Sequence, residues 1–114
     1  DAWEIGIQHP RNTLGLLDVV KLRDGEALAT SGDYERYQME GGNRVSHIFN
    51  PQTGLPVENM QSTTIRARNA LDADILSTAS FVLGMDTAQV ALTKIPHVSY
   101  ILVAANGAVV QSTW

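Results

Sequence analysis

Asp74 and Thr78 are the residues whose types and spacing are best suited to chemistry, and they lie in the segment ALDADILSTASFVLG (70–84). On a helix, residues four apart share one face, so the carboxylate and the hydroxyl would form a row that begins at Ala70. Hard oxygen donors suit Mg²⁺ or Ca²⁺ rather than zinc, and Mg²⁺ commonly takes only one or two protein ligands. The alternative is a surface Asp beside a Thr whose hydroxyl bonds back to its own helix carbonyl.

Asp72, the second acidic residue of this segment, has a different role. A helix turns by about 100° per residue, so the side chain of Asp72 points away from that of Asp74, and the two do not form a carboxylate pair for acid–base catalysis. Asn69 is a typical N-cap, and Asp72 then takes position N3, where a carboxylate interacts favourably with the helix dipole. We therefore assign Asp72 to the start of the helix.

Two helices are expected in the second half of the chain. The first begins after Asn69 and ends at Gly84, because glycine is common just beyond a helix C-terminus. Asp86 is predicted to cap the second helix, which ends before Pro96. The apolar residues of the first helix recur at helical spacing and predict its buried face: Leu71, Ile75, Ala79, Val82 and Leu83.

Strand patterns precede the helices and return after them. They are WEIGIQ (3–8), GLLDVVKL (15–22), EALAT (26–30), DYERYQ (33–38), NRVSHIF (43–49), STTIRAR (62–68), VSYILVAA (98–105) and AVVQSTW (108–114). Ser31-Gly32 is predicted to break the chain between two strands, and Gly41-Gly42 and Asn106-Gly107 predict hairpin turns. The sequence thus predicts an α+β domain with a mostly antiparallel sheet covered on one face by two helices.

The strand STTIRAR (62–68) alternates in character. Ile65 and Ala67 fall on one side, whereas Arg66 and Arg68 fall on the other with Thr64. Arginines on one strand face could meet a phosphate, but a solvated polar face is the simpler interpretation. We therefore predict that this strand is buried on one side only.

Composition restricts the class of protein. The chain has 114 residues, the size of one domain, and 44% of them are apolar, which is typical of a globular protein. A net charge of −4 without a Lys/Arg cluster argues against nucleic acid as a partner. The absence of cysteine excludes disulfides, thiolate zinc sites and a cysteine nucleophile.

Four motifs in order carry a family resemblance. After WEIGIQHP (3–10) come ATSGDYERY (29–37), SHIFNPQTGLP (46–56) and ADILSTASFVLG (73–84). Together they resemble the C-terminal half of the FAD:protein FMN transferases, the ApbE family. The resemblance implies a Mg²⁺-dependent enzyme that cleaves FAD, attaches FMN through its phosphate to a Thr or Ser of a target protein, and releases AMP.

Family site residues map onto this sequence position by position. The metal site falls on Asp74 and Thr78, and the residues that line the flavin nucleotide fall on His47 and Ile48. An imidazole titrates near neutrality, so His47 is either the base that accepts a proton from the target hydroxyl or a hydrogen-bonding contact to the nucleotide.

The resemblance implies a further contact with FAD. The motif at 30–34 lies near the same cleft in the family, which makes Ser31 and Gly32 candidate FAD contacts.

The resemblance also implies that residues 1–114 form one domain, the C-terminal part of a longer flavin transferase. Its N-terminal segment would anchor the protein to a membrane, at the periplasm or cell surface. Two alternatives to the transferase stay open. The same site could hydrolyse FAD to FMN and AMP, or the chain could be a non-catalytic flavin-binding or scaffold module.

Overall fold

The computed structural model describes residues 2–12, 15–33, 37–40, 43–46, 48–57 and 59–112. Within these residues the strands are β1 (Ala2–Gln8), β2 (Leu16–Arg23), β3 (Ala27–Gly32), β4 (Tyr37–Glu40), β5 (Asn43–Ser46), β6 (Phe49–Asn50), β7 (Leu55–Pro56), β8 (Met60–Ala67), β9 (Ser99–Ala104) and β10 (Val109–Gln111). The helices are α1 (Ala70–Leu83) and α2 (Met85–Thr93). None of the helices described is both long and apolar enough to cross a membrane.

A four-stranded sheet forms the centre of the domain, in the order β10-β9-β8-β3. All its neighbouring strands pair antiparallel. Both helices pack on one face, which we call the helix side. Three two-stranded antiparallel units, β1-β2, β4-β5 and β6-β7, complete the described part. The predicted α+β class, with two helices on one face of a mostly antiparallel sheet, is confirmed.

The hairpin β1-β2 covers the other face of the central sheet, which we call the hairpin side. Ile7 and Val20 of the hairpin pack there against Ile101 of β9, and all three are buried. On the helix side, Phe81 of α1 belongs to a larger core that includes Ile65 of β8. The domain therefore has two small cores, one on each side of the sheet.

Strand β8 is buried on both sides, so the prediction of one solvated face for residues 62–68 is wrong over the strand itself. Thr64 is fully buried on the hairpin side, where its hydroxyl lies 3.0 Å from that of Thr30. The guanidinium of Arg66 donates to the backbone oxygen of Lys21 in β2 and to the Ser99 hydroxyl. The hairpin above the strand replaces the solvent that a half-exposed sheet would meet.

Helix α1 has the predicted ends but not the predicted buried face. The Asn69 side chain accepts a hydrogen bond from the backbone N–H of Asp72 at 2.8 Å, and Gly84 ends the helix at φ +85°. The predicted apolar stripe is wrong, because Leu71, Ile75, Ala79 and Leu83 are exposed and Val82 is only partly buried. The buried residues are Ala73, Ser77, Ser80 and Phe81.

The reason for this orientation lies in the sheet beneath α1. Strands β3 and β8 present the hydroxyls of Ser31 and Thr63 to the helix, and a buried hydroxyl without a partner is costly. Ser77 satisfies both strands: its hydroxyl meets that of Ser31, and its backbone oxygen accepts from Thr63. A face of Leu71 and Ile75 would have left both hydroxyls unpaired.

Three other local predictions meet different outcomes. The hairpin at Asn106-Gly107 is confirmed, with Gly107 at φ +88° between β9 and β10. The break at Ser31-Gly32 is wrong, because β3 continues through Gly32 and pairs there with Ser62. Asp86 does not cap α2: Gly84 occupies the N-cap, and Asp86 lies in the first turn. Residues 41 and 42 lie outside the described residues.

Candidate functional site

The candidate site forms where the end of β3 meets the middle of α1. Ser31 lies on the helix side of β3, 9% exposed, and its hydroxyl oxygen is 3.0 Å from that of Ser77 and 3.3 Å from that of Thr78. These contacts join positions 46 and 47 residues apart in the sequence. The motifs 29–37 and 73–84, which the sequence could only place in order, therefore meet in space.

Asp74 and Thr78 lie one above the other on α1, and both are exposed. The Ser77 hydroxyl between them donates to the backbone oxygen of Asp74 at 3.0 Å, which holds this turn of the helix in a fixed arrangement. The row thus presents one carboxylate and one hydroxyl to solvent beside the end of β3. Asp72 keeps the separate role predicted for it at the helix start.

The donor set fits a cation that takes few protein ligands. Asp74 supplies an anionic oxygen and Thr78 a neutral one, which are the hard ligands that Mg²⁺ prefers. Among the described residues, no group of three or more His, Cys, Asp or Glu side chains is placed to hold a metal ion. A cation here would therefore bind through a small oxygen set completed by other ligands, rather than in a cage of protein side chains.

Gly32 is buried at the last position of β3, next to Asp33, which is 7% exposed. The Asp33 carboxylate binds the guanidinium of Arg11 through two 2.7 Å hydrogen bonds. The Asp33 backbone N–H donates to the carbonyl of Gln61, at an irregularity in the pairing of β8 with β9. The end of β3 is thereby fixed by both a side-chain and a backbone contact.

Ile48 is partly buried and packs against the helix-side core, to which α1 contributes Ala73 and Phe81. Its backbone oxygen accepts a hydrogen bond from Val57 at 2.9 Å. His47, the other member of the predicted nucleotide pair, lies outside the described residues, as does Tyr34 of the 30–34 motif. The assignments of His47, Ile48, Ser31 and Gly32 to FAD stay predictions.

Two features of the candidate site were not predicted from the sequence. Ser77 lies on α1 next to Thr78, and its hydroxyl binds the backbone oxygen of Asp74. A serine in a helix can be recognised as buried and hydrogen-bonded only when the strand that packs against it is known. The Arg11–Asp33 pair joins residues 22 apart. Its only sequence signal was an acidic residue directly after Ser31-Gly32, with no indication of which arginine would meet it.

Comparison with known proteins identifies the family of the chain. The profile of the ApbE family matches residues 1–102. The chain is 40% identical over 88 residues to the FAD:protein FMN transferase of Salmonella typhimurium, a match covering 76% of this chain and 25% of that protein. It is 35% identical over 114 residues to the FAD:protein FMN transferase of Haemophilus influenzae, covering 97% of this chain and 33% of that protein.

Solved structures give the same result for the fold. The ApbE protein of Thermotoga maritima superimposes with a TM-score of 0.87 at 39% identity, covering 97% of this chain and 36% of the other. The apo flavinyl transferase ApbE of Pseudomonas stutzeri superimposes with a TM-score of 0.74 at 31% identity, covering 98% and 35%. The chain spans about a quarter to a third of the length of these two curated relatives. By its sequence motifs, its fold and the match over residues 1–102, the chain belongs to the ApbE family.

Proposed function

We propose that this chain contributes the metal-binding part of a Mg²⁺-dependent FAD:protein FMN transferase. The observation that carries the proposal is the meeting of Ser31 with Thr78, which brings two family motifs together beside the exposed carboxylate of Asp74. Support comes from the relatives that bear this enzyme's name and match most of the chain.

The proposed reaction joins a hydroxyl of a target protein to the FMN phosphorus of FAD. A new oxygen–phosphorus bond forms, the bond from that phosphorus to the bridging pyrophosphate oxygen breaks, and AMP leaves with the bridging oxygen. The hydroxyl of the acceptor Thr or Ser gives up its proton. Phosphoryl transfer requires little covalent chemistry from the protein, so positioning and charge neutralisation dominate.

The residues divide this work between them. When bound, Mg²⁺ supplies positive charge against the pyrophosphate oxygens. Asp74 would hold the cation with an anionic oxygen, and Thr78 would add a neutral one. Ile48 and Gly32 are proposed to shape the surface that receives the nucleotide, with Ser31 next to Gly32. His47 is proposed either to accept the proton of the acceptor hydroxyl or to bind the nucleotide.

The direct test measures covalent FMN. The full-length protein is incubated with FAD, Mg²⁺ and a target protein carrying the acceptor hydroxyl, and the flavin bound to the target is read by in-gel fluorescence and mass spectrometry. Asp74→Ala should reduce flavinylation about a hundredfold or more, because it removes the charged ligand that this chain is proposed to supply. Asp72→Ala is the matched control, two residues away on another face of α1, and should retain activity. Equal activity of Asp74→Ala and the unaltered protein would refute the metal assignment.

The same assay separates the alternative functions. Release of AMP from FAD at an undiminished rate without a target would identify an FAD pyrophosphatase. If FAD binds but neither AMP release nor flavinylation is detected, the chain is a non-catalytic flavin-binding module.

Replacement of His47 by Gln distinguishes its two proposed roles. If His47 is a base, the rise of the rate with pH near neutrality should be lost, whereas a raised KM for FAD at unchanged kcat indicates a nucleotide contact.

We also propose that the full-length protein acts at the periplasm or cell surface, anchored to a membrane by a segment N-terminal to these residues. The support is the family resemblance alone. Cell fractionation followed by detection of the protein would test it, and recovery from the cytosolic fraction would contradict it.

A further inference from the structure

The hydroxyls of Ser31, Ser77 and Thr78 form a short chain whose direction follows from elementary hydrogen-bond chemistry. A hydroxyl has one proton to donate and two lone pairs that accept, whereas a carbonyl oxygen only accepts. The chain ends on the backbone oxygen of Asp74, to which Ser77 must therefore donate. This single contact determines the direction of every other bond in the chain.

The proton order can be followed outward from that carbonyl. Since the Ser77 proton is used on Asp74, the 3.0 Å contact between Ser77 and Ser31 requires Ser31 to donate. The Ser31 proton is then used, so at the 3.3 Å contact with Thr78 the donor is Thr78. The order of donation is Thr78 to Ser31, Ser31 to Ser77, and Ser77 to the carbonyl of Asp74.

The usual alternative for a helical threonine is excluded at this position by the same contacts. Thr78 would ordinarily turn its hydroxyl back to the carbonyl four residues earlier, that of Asp74. That oxygen already accepts the Ser77 hydroxyl, and within α1 it also accepts the backbone N–H of residue 78. Both of its lone pairs are occupied, so Ser31 is the available acceptor for the Thr78 proton.

We propose that Ser31 and Ser77 are positioning residues that hold the Thr78 proton towards the protein interior and leave its lone pairs facing outward as a cation ligand. The inference rests on the proposed metal site at Asp74 and Thr78. It assigns Ser31 a role towards the metal ligand, in addition to the expected contact with FAD. Hydrogen-bonded hydroxyls also polarise one another, which makes the terminal oxygen a better ligand.

Burial explains why the order would persist. Ser77 is fully buried and Ser31 is 9% exposed, so neither hydroxyl can readily exchange its partner for bulk water. Thr63 of β8 donates to the Ser77 backbone oxygen at 2.6 Å, which fixes the helix against the sheet at this residue. Thr78 alone of the three hydroxyls is exposed, and it is the one available to a ligand.

The test measures metal affinity directly. Mn²⁺ is titrated into the full-length protein with FAD present and target protein absent, and free Mn²⁺ is quantified by electron paramagnetic resonance. Ser31→Ala removes the acceptor of the Thr78 proton and should raise the Kd for Mn²⁺ about tenfold, as loss of an outer-shell partner commonly does. Ser31→Thr retains a hydroxyl and should restore the Kd to within about threefold of the original.

Ser77→Ala is the second variant and tests the direction of donation. This variant leaves Ser31 in place but removes the acceptor of the Ser31 proton. Ser31 can then donate to Thr78 and occupy a lone pair that the cation would use. The Kd should again rise, although no residue touching the metal has changed. Alanine is the best helix former, so α1 is expected to remain folded in this variant.

Ser80→Ala is the matched control, because Ser80 is buried on the same face of α1, 2% exposed, and takes no part in the hydroxyl chain. Its Kd should stay within about twofold of the unaltered value. A second readout is the Mg²⁺ concentration that gives half-maximal flavinylation, which should rise in Ser77→Ala, because Ser77 is fully buried and acts on the metal ligand only through Ser31. Circular dichroism melting verifies that each variant is folded.

The outcomes separate the two proposals. If Asp74→Ala loses Mn²⁺ binding but folded Ser31→Ala and Ser77→Ala bind as the unaltered protein does, the positioning role is refuted and the metal site stands. If Asp74→Ala binds Mn²⁺ unchanged, the metal site itself is refuted. A lowered melting temperature in Ser31→Ala with unchanged Kd would show that the serine is only structural.

Discussion

The Arg11–Asp33 ion pair leads to the most quantitative prediction. Two parallel hydrogen bonds of 2.7 Å join the guanidinium to the carboxylate, in the bidentate geometry that gives strong charge-assisted bonds. The side chain of Asp33 is 11% exposed and that of Arg11 is 37% exposed. The pair therefore lies between a surface ion pair and a buried one.

The expected strength follows from this intermediate burial. Exposed ion pairs contribute about 0.2–1 kcal/mol, and breaking a buried pair costs about 3–5 kcal/mol. We expect a coupling free energy of about 2 kcal/mol between Arg11 and Asp33, larger than for a surface pair because of the bidentate geometry. Single replacements will cost additional free energy, because both residues have further contacts.

A double-mutant cycle measures this coupling free energy. Arg11→Gln, Asp33→Asn and the double variant are compared with the unaltered protein by urea unfolding followed by circular dichroism, and the cycle removes the contributions of other contacts. The Arg66–Glu26 pair serves as the control for geometry, because its side chains are similarly buried, 18% and 29% exposed, but its Nε and Oε2 atoms are 3.7 Å apart. Without the two short hydrogen bonds, its coupling should be below about 1 kcal/mol.

A coupling below about 0.5 kcal/mol for Arg11 and Asp33 would place the pair among surface ion pairs and contradict the reasoning. A coupling of about 2 kcal/mol that persists at high salt would support it, since screening acts mainly on exposed charges. The pair fixes the end of β3 next to Gly32, which is proposed to shape the surface that receives the nucleotide, so the same variants should also weaken FAD binding by the full-length protein.

Three further predictions concern α1 and its ends. Gly84→Ala should lower the free energy of unfolding by about 1–3 kcal/mol, because φ is +85° and ψ is 170°, a conformation that essentially only glycine adopts. The added Cβ would meet only the terminal nitrogen of the Asn59 side chain, which can move aside. Urea unfolding measures the change, and an unaltered free energy of unfolding would contradict the strain expected at Gly84. Asn69→Ala should cost about 1 kcal/mol through loss of the N-cap bond, measured in the same way, with Asn69→Ser as the control that retains a neutral acceptor beside the Asp72 carboxylate. Phe81→Ala should lower the free energy of unfolding by about 3–5 kcal/mol, whereas Leu83→Ala, at a position 47% exposed, should lower it by less than about 1 kcal/mol. A larger loss for Leu83→Ala than for Phe81→Ala would support the buried face predicted from the sequence instead.

Much of the domain could be predicted from local sequence signals. Asn69 and Gly84 marked the ends of α1, and Asn106-Gly107 marked the last hairpin, because capping and positive φ depend on the residue itself and its close neighbours. The family motifs and the separation of Asp72 from Asp74 were likewise visible, since both follow from residue order and helical spacing.

The buried face of α1 could not be predicted in this way. Apolar spacing favoured Leu71 and Ile75, yet Ser77 and Ser80 lie against the sheet. Apolar spacing reports only one contribution to the free energy of packing, the burial of hydrocarbon. It ignores the hydroxyls of the opposing strands, which need hydrogen-bond partners once they are removed from water. Those strands are distant in the sequence.

The sequence by itself singled out Asp74 and Thr78 as candidate cation ligands and predicted that they share one face of a helix. Only the tertiary structure decided that Ser31 would reach Thr78 from 47 residues away, and that Arg11 would fix the end of β3 through Asp33. The physical reason is that helical spacing is a local property of the chain, whereas the partner of a buried hydroxyl or carboxylate depends on how sheet and helix pack together.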